Sequence, residues 1–216
     1  MQKKTSFHHL MLVTNRQSRP LDDYLQFITC CAVSGITSVQ MREKGQDQAS
    51  LLMFGQQLKM ILDPLHIPLI INDDVELALK LNASGVHLGQ SDGDPIRARE
   101  RLGPEAIIGV SIDFEKDVMV ANRLPIDYVG VGAIFPSESK KNITTIWGIE
   151  GLQQLAPHSK HPIIGIGGID LHNASEVLEA GADGIAIIGA LHQTPTPTQM
   201  VHQFCQIIKQ RMHDDS

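Results

Sequence analysis

Two aspartates stand where a metal ion could be held. Asp73 follows one short apolar run of the chain, and Asp92 follows the next. Magnesium at phosphate-handling sites is typically bound by one or two carboxylates together with substrate phosphates and water. Asp74 and Asp94 are better placed as N-caps of helices, which leaves Asp73 and Asp92 without a structural role and makes them the predicted ligands of Mg²⁺. The alternative, that both belong to ordinary loops or caps, stays open.

Basic side chains follow two other apolar runs. Arg42 and Lys44 come at the end of the second run, and Lys140 and Lys141 come after the sixth. Arginine binds phosphate through a planar fork, and lysine acts as a point charge. Two sources of positive charge at one edge of the fold would suit a doubly charged group such as a diphosphate. Taken singly, Lys44 and Lys141 are also typical of solvated surface charges.

Glycines end the last two apolar runs. Residues 165–168 are Gly-Ile-Gly-Gly, and Gly189 follows the eighth run. In barrel enzymes the backbone N–H groups of such loops commonly bind a phosphate, although glycine also simply allows tight turns. The first segment is not a dinucleotide-binding fingerprint, because Asp170 stands at the place of the last glycine in G-x-G-x-x-G. Glycine-rich ends on two neighbouring strands therefore predict a monophosphate site.

Hydroxyl and imidazole groups are less decisive. Ser137 and Ser139 could donate hydrogen bonds to a polar substrate, or could belong to an ordinary surface loop, and the sequence favours neither. His87 lies between Val86 and Leu88, so it is expected inside the barrel rather than as a general base. No Ser/His/Asp or Cys/His arrangement indicates nucleophilic catalysis.

The scaffold must bring the ends of many apolar runs together. The runs are nearly continuous in apolar residues, which is typical of parallel strands buried on both faces. Strands are predicted at 10–14, 37–42, 68–72, 85–88, 106–110, 128–133, 162–165 and 184–188. Helices are predicted between them at 21–33, 51–62, 75–81, 95–102, 171–180 and 197–211.

The alternation of strand and helix requires a parallel sheet with right-handed crossovers. A doubly wound open sheet is the main rival architecture. Eight repeats in 216 residues favour closure, so a single-domain (β/α)8 TIM barrel over residues 1–216 is predicted. The carboxyl ends of its strands would then share one rim, where the active sites of such barrels lie.

Composition and net charge limit which binding partners and which cellular compartment are expected. The formal charge of −6 gives no general attraction to nucleic acid or an anionic membrane. The three cysteines include the adjacent Cys30 and Cys31, a poor disulfide pair, which favours reduced thiols in the cytoplasm. The apolar run Leu10–Val13 is too short for a signal peptide or a membrane span. A soluble cytoplasmic enzyme is expected, and the sequence leaves open whether it forms a homo-oligomer.

The order and spacing of these segments resemble the thiamine phosphate synthase family over essentially the full chain. Each segment is weakly specific alone, but their combination is highly specific. The matching segments are residues 39–44 (Val-Gln-Met-Arg-Glu-Lys), 71–74, 85–90, 109–111, 128–132, 140–141, 165–169 and 181–184.

The resemblance implies a transferase that needs Mg²⁺. It would join 4-amino-2-methyl-5-(diphosphooxymethyl)pyrimidine to 4-methyl-5-(2-phosphooxyethyl)thiazole and release thiamine phosphate and pyrophosphate. The residues implied to hold the pyrimidine diphosphate are Gln40, Met41, Arg42, Glu43, Lys44, Asn72, Ser111 and Lys140, of which Arg42, Ser111 and Lys140 would act in catalysis. Those implied to hold the thiazole phosphate are Ser137, Ser139, Gly168, Ile188 and Gly189, and Asp73 and Asp92 would bind the metal.

The chain departs from the family pattern at a few positions. Ser137 and Ser139 stand where threonines are usual, and a hydroxyl remains at each. Gly189 stands where serine is common, so a side-chain donor is lost and the backbone N–H remains. Two rival functions remain. A thiazole tautomerase would use a histidine at the position of Asp113, and a non-catalytic phosphate-binding barrel would need no metal pair.

Overall fold

Eight parallel strands form a closed barrel in the order of the chain, with β1 paired to β8. The computed structural model describes residues 7–137 and 145–214. The strands are β1 Leu10–Val13, β2 Ser38–Met41, β3 Leu69–Asn72, β4 Gly85–Leu88, β5 Ile107–Ile112, β6 Tyr128–Gly132, β7 Ile163–Ile166 and β8 Gly184–Ile187. Closure excludes the open doubly wound sheet and confirms the (β/α)8 prediction.

Helices cover the outside of the barrel. They are α1 Leu21–Ser34, α2 Gln48–Leu62, α3 Val75–Leu81, α4 Pro95–Leu102, α5 Glu115–Ala121, α6 Gly148–Leu155, α7 Ala174–Glu179, α8 Gly189–Gln193 and α9 Pro197–Asp214, with 3₁₀ turns at Asp63–Leu65 and Ala156–His158. Within the described ranges, no helix has the length and apolar character needed to cross a bilayer.

The helix N-caps predicted at Asp74 and Asp94 are confirmed, because each side chain accepts a backbone N–H of the first helical turn. Asp74 accepts from Leu77 N at 2.8 Å, and Asp94 accepts from Ile96 N at 2.9 Å. These bonds satisfy donors that a helix start leaves unpaired. The helices α5, α6 and α8 were not predicted. They have seven, eight and five residues, too few for a clear 3.6-residue periodicity. They also lack the aspartate N-caps that indicated the equally short α3 and α4.

The helix predicted at 171–180 begins later, at Ala174. Side chains hold residues 170–173 in a turn instead. Asp170 Oδ1 accepts from His172 N at 2.8 Å, and Asn173 Oδ1 accepts from Asp170 N at 2.9 Å. Short polar side chains that bond nearby backbone compete with helix formation in this way.

Alternation along each strand divides the core into two layers. In β1, Leu10 and Leu12 belong to the outer layer between barrel and helices, whereas Met11 and Val13 belong to the barrel interior. Both faces are buried, which explains why the runs are nearly continuously apolar. The interior is closed at its lower end by Phe7 and the ring of Tyr128, whose centroids lie 5.6 Å apart.

The amino-terminal rim is held by a bond pattern that occurs four times. The residue just before each even-numbered strand donates its backbone N–H to a residue of the preceding odd-numbered strand, and its side-chain oxygen accepts that same residue's N–H. We call these four the rim-capping residues. The side-chain bonds join Thr37 to Leu10 N at 2.9 Å, Ser84 to Leu69 N at 3.2 Å, Asp127 to Ile108 N at 2.8 Å and Asp183 to Ile163 N at 2.7 Å. Each bond gives a partner to a backbone donor that burial would otherwise make costly.

Asp127→Ala is expected to destabilise the fold by about 1–3 kcal/mol, because it removes the acceptor of a partly buried N–H. It also removes the ion-pair partner of Arg99, whose Nη2 lies 2.6 Å from Asp127 Oδ2. Urea unfolding would measure the loss. Glu76→Ala is the control, since it breaks only the exposed ion pair with Arg101 and should leave stability unchanged. Equal effects of the two substitutions would contradict a specific role for the cap.

Candidate active site

A cavity of about 190 Å³ opens at the carboxyl-terminal rim. It brings together polar side chains from the ends of β2 to β6, which the sequence analysis selected from separate segments. The predicted site residues that line it are Gln40, Arg42, Lys44, Asn72, Asp73, Asp92, Ser111, Ser137 and Ile188. His87, Asp113 and Tyr128 line it too, although none of them was predicted as a site residue.

The end of β2 contributes alternate side chains to this cavity. Gln40, Arg42 and Lys44 line it, whereas Met41 is only 3% exposed and packs in the outer layer. Glu43 also lies outside the lining, and its two carboxylate oxygens each accept from Arg16 N at 3.1 Å. The period of two along a strand explains this division. The structure therefore does not bring the side chains of Met41 and Glu43 to the predicted diphosphate site.

Arg42 is positioned by backbone contacts and sits beside negative charge. Its N–H donates to Thr14 Oγ1 at 2.9 Å, which fixes the chain as it leaves β2. Burial lowers the pKa of its guanidinium, while the charges of Asp73 and Glu43 oppose that change. A guanidinium retains its charge in proteins, so Arg42 presents a partly desolvated cation to the cavity.

The carboxyl groups of Asp73 and Asp92 are in contact across the cavity. Burial, together with the hydrogen bond and charge contact with Asp92, raises the pKa of Asp73 to about 6 against the opposing effects of Lys44 and Asn72. Asp73 has a left-handed φ of 66°, which aspartate tolerates better than most residues. Two carboxylates this close disfavour double ionisation.

Asp92 also has a structural contact that the sequence analysis did not foresee. Its Oδ2 accepts from Gly89 N at 3.0 Å and holds the loop after β4 in a turn. The premise that Asp92 has no structural role is therefore wrong. Among the described residues, no cluster of three or more histidine, cysteine, aspartate or glutamate side chains could hold a metal. Asp73 and Asp92 thus form a two-carboxylate site at most.

A chain of buried hydrogen bonds leads from the barrel interior to the cavity. His87 Nδ1 lies 2.9 Å from Tyr128 Oη, and His87 Nε2 lies 3.0 Å from Ser111 Oγ. Gln40 also bonds Tyr128, and burial raises the pKa of this phenol above its ordinary value, which keeps it neutral. The prediction of an interior histidine is confirmed. Because β5 continues to Ile112 rather than ending at residue 110, Ser111 is an inward residue of the strand.

Glycines make room for the side chains of this hydrogen-bond network. A methyl group on Gly130 would lie 2.9 Å from His87 Cε1, and one on Gly109 would overlap the ring of Tyr128. Both glycines occupy inward-facing positions of their strands, at the same level as these large side chains. Small residues beside large ones let a barrel interior fill without voids. The glycines at inward positions of β5 and β6 are the sequence feature that indicates a large interior side chain such as Tyr128.

A second cavity adjoins the first at the ends of β6, β7 and β8. Its lining includes Ser137, Gly168, Ile188 and Gly189, four of the five residues predicted for the thiazole phosphate. Gly168 has φ +65°, and a Cβ there would meet Phe135 and the carbonyl of Pro136. Only glycine lets the backbone approach so closely. The remaining predicted residues, Ser139 and Lys140, lie outside the described residues.

The matching family model decides the family. The model described as thiamine monophosphate synthase matches residues 10–191. The chain belongs to the thiamine monophosphate synthase family. A thiamine-phosphate synthase of Chlamydia caviae is 52% identical over 88% of this chain and 90% of its own length. That of Chlamydia abortus is 48% identical over 94% and 96%, respectively.

Solved structures agree with the family assignment. Thiamine phosphate pyrophosphorylase from Pyrococcus furiosus superposes with a TM-score of 0.85 at 28% identity, covering 96% of this chain and 98% of that one. Orotidine 5′-phosphate decarboxylase from Pyrococcus horikoshii superposes with a TM-score of 0.68 at 13% identity, covering 93% and 99%. The second likeness shows only the shared barrel fold.

Gly130→Ala is expected to destabilise the fold by about 1–3 kcal/mol, because overpacking a dense core is costly. His87 cannot move aside freely, since both of its ring nitrogens are hydrogen-bonded. Thermal unfolding would measure the loss. Gly151→Ala in α6 is the control, because its methyl group would meet Trp147 only at ordinary contact distance and alanine favours helix. A variant Gly130→Ala as stable as Gly151→Ala would contradict the close packing around His87.

Proposed function

We propose that this chain catalyses the synthesis of thiamine phosphate from the pyrimidine diphosphate and the thiazole phosphate, with release of pyrophosphate. The observation that carries the proposal is that the carboxyl-terminal rim has two adjoining binding regions of different chemistry. Arg42, Lys44 and the Asp73–Asp92 pair occupy one side, and the glycine-lined cavity at Gly168 and Gly189 adjoins it. A diphosphate and a monophosphate thus have separate places within one connected space. The curated relatives carry the same activity in their names.

The donor set fits a magnesium ion. Asp73 and Asp92 supply carboxylate oxygens, the ligands that Mg²⁺ takes together with substrate phosphates and water. The contact between the two carboxyl groups, which raises the pKa of Asp73, is the kind of repulsion that a divalent cation relieves. When bound, the ion would offset the negative charge of the diphosphate.

The protein side chains would act on the leaving group and on the cation left behind. Loss of diphosphate from the pyrimidine leaves a methylene cation that the electron-rich aminopyrimidine ring can stabilise. Arg42 faces the cavity from β2 and would accept the growing charge of the departing diphosphate. Ser111 is held by His87, so its hydroxyl is placed before substrate arrives. Lys140, in the segment outside the described residues, is proposed to assist at the same group.

The second step requires positioning rather than a protein nucleophile. The thiazole nitrogen would attack the methylene carbon directly, so the contribution of the enzyme is to hold two substrates in reacting geometry. The phosphate of the thiazole would bind at Gly168, Ile188 and Gly189, with Ser137 donating a hydroxyl. Ser139 is proposed as a further donor from the undescribed segment.

The retained residues argue against the two rival functions. Asp113 lines the cavity at the position where a tautomerase would carry a histidine. A binding barrel without catalysis has no need for the paired carboxylates of Asp73 and Asp92 beside Arg42. Both features favour the synthase.

The test is formation of thiamine phosphate from the two substrates with purified protein and Mg²⁺. Asp92→Asn is expected to reduce kcat/KM by about 10² or more, since a metal contributes several kcal/mol to such chemistry, and EDTA should abolish activity. Asp94→Asn is the matched control, because asparagine preserves the N-cap of α4 and Asp94 does not line the cavity. Its activity should equal that of the unaltered protein.

Two outcomes would count against the proposal. Folded protein that makes no thiamine phosphate would overturn the synthase function. Full activity in EDTA, or in Asp92→Asn, would overturn the metal site while leaving the synthase function in place.

A further inference from the structure

Tyr24 has a buried hydroxyl group that takes no part in either cavity. It lies on α1 outside the barrel, and its side chain is fully buried. Its Oη lies 2.8 Å from Asn15 N and 2.7 Å from His192 Nε2. The other ring nitrogen, His192 Nδ1, lies 2.7 Å from the carbonyl oxygen of Ile188. These contacts join the loop after β1 to the carboxyl end of β8.

The donor and the acceptor can be assigned for each hydrogen bond of this network. A carbonyl oxygen only accepts, so His192 Nδ1 carries a proton and donates to Ile188. A neutral imidazole then accepts at Nε2, and Tyr24 therefore donates its hydroxyl to His192 while accepting the N–H of Asn15. Burial lowers the pKa of His192, the bond to Ile188 opposes this change, and the charge of Arg19 adds to the lowering. The neutral tautomer that this bond direction requires is thus also favoured by its surroundings.

Arg19 connects the same loop to α8. Its guanidinium carbon lies 5.6 Å and 5.2 Å from the ring centroids of Tyr24 and Phe27, respectively. Its Nη2 donates to the carbonyl oxygen of His192 at 3.0 Å. Arginine stacked on aromatic rings is a well-ordered donor. His192 is therefore held both by its ring and by its backbone.

The other end of the loop is bound to β2. Thr14 N donates to the carbonyl oxygen of Gln40 at 2.8 Å, and Arg42 N donates to Thr14 Oγ1 at 2.9 Å. Arg16 N donates to both carboxylate oxygens of Glu43 at 3.1 Å. The segment of residues 14–20, which we call the β1–α1 strap, thus spans from the diphosphate side of the rim to the phosphate side.

The bond to Ile188 has a consequence for the next residue. The carbonyl of Ile188 and the N–H of Gly189 belong to one planar peptide group and point in opposite directions. His192 holds that carbonyl through its ring at 2.7 Å and through its backbone N–H at 3.1 Å, and this fixes the direction of the Gly189 N–H. Gly189 has no side chain to donate a second hydrogen bond, so this N–H is the donor that it can offer to a ligand in the adjoining cavity.

We propose that Tyr24 and His192 are positioning residues for the phosphate of the second substrate, and that the β1–α1 strap holds this phosphate subsite in register with the diphosphate subsite. The inference rests on the proposed function. Neither side chain lines a cavity at the rim, so both act through the peptide group of Ile188 and Gly189. Glu43, which was predicted to hold the diphosphate, instead anchors the strap through Arg16 and does not line the cavity.

The test compares four variants of the full chain. His192→Leu removes the side-chain bond to Ile188 and leaves the backbone bond from residue 192 to the same carbonyl. The variant is expected to raise both KM and the calorimetric Kd for the thiazole phosphate by about tenfold, the effect of one lost hydrogen bond. Tyr24→Phe removes the hydroxyl that fixes the imidazole and should produce a smaller rise. His192→Asn keeps a donor at the position of Nδ1 and should restore most of the affinity. kcat and the KM for the pyrimidine diphosphate should change little in all three.

His161→Leu is the matched control at the opposite rim. His161 Nε2 bonds the carbonyl oxygen of Ala121 at 3.1 Å, so its loss also removes a histidine–backbone bond. This variant should lower the melting temperature without changing either KM. If His192→Leu behaves like His161→Leu, or if asparagine at 192 rescues nothing, the positioning role is overturned. If the unaltered protein makes no product and binds no thiazole phosphate, the proposed function fails first and the inference fails with it.

Discussion

The hydrogen-bonded pairing of β8 with β1 is the constraint on which the rest of the structure depends. Leu10, Met11 and Leu12 of β1 pair in register with Ile185, Ala186 and Ile187 of β8. This pairing leaves no strand edge exposed, and it turns a sheet with two faces into a barrel with an inside and an outside. Because all strands are parallel, closure also brings all eight carboxyl ends to one rim. The site depends on this arrangement, since its groups come from strands far apart in the sequence.

The interior changes character along the barrel axis. Apolar residues such as Phe7 and Ile107 fill its lower part, while Gln40, His87 and Ser111 lie nearer the upper rim. The buried polar groups bond one another, so burial costs them little. The result is a rigid floor of fixed hydrogen-bond donors and acceptors beneath the cavity. Substrate charge would then meet groups that need little reorganisation.

The sequence predicted the strands well, because burial on both faces leaves a simple apolar signal. β4 and α3 have the predicted bounds, and the caps of Asp74 and Asp94 follow from local geometry. Interactions between distant segments were not predictable in this way. The contact of Glu43 with Arg16 and the bonds of His87 both depend on which distant segments the fold brings together.

The same limit applies to the site. Family motifs selected residues 40–44 as a block, but strand alternation gives Gln40, Arg42 and Lys44 to the cavity and sends Met41 into the outer layer. The alternation of inward and outward side chains along β2 follows from the sequence once the strand is assigned. The extension of β5 through Ser111 could not be predicted from the sequence, since a serine after an apolar run equally indicates the end of a strand.

The rim-capping residues divide the barrel into four two-strand units. Thr37, Ser84, Asp127 and Asp183 each join an odd-numbered strand to the even-numbered strand that follows it in the chain. Neighbouring units meet through backbone ladder bonds, such as that from Val39 N to the carbonyl oxygen of Pro68. New chain ends placed between units would therefore keep every capped pair within one continuous stretch of chain. The joints between units are thus the natural places for circular permutation of this barrel.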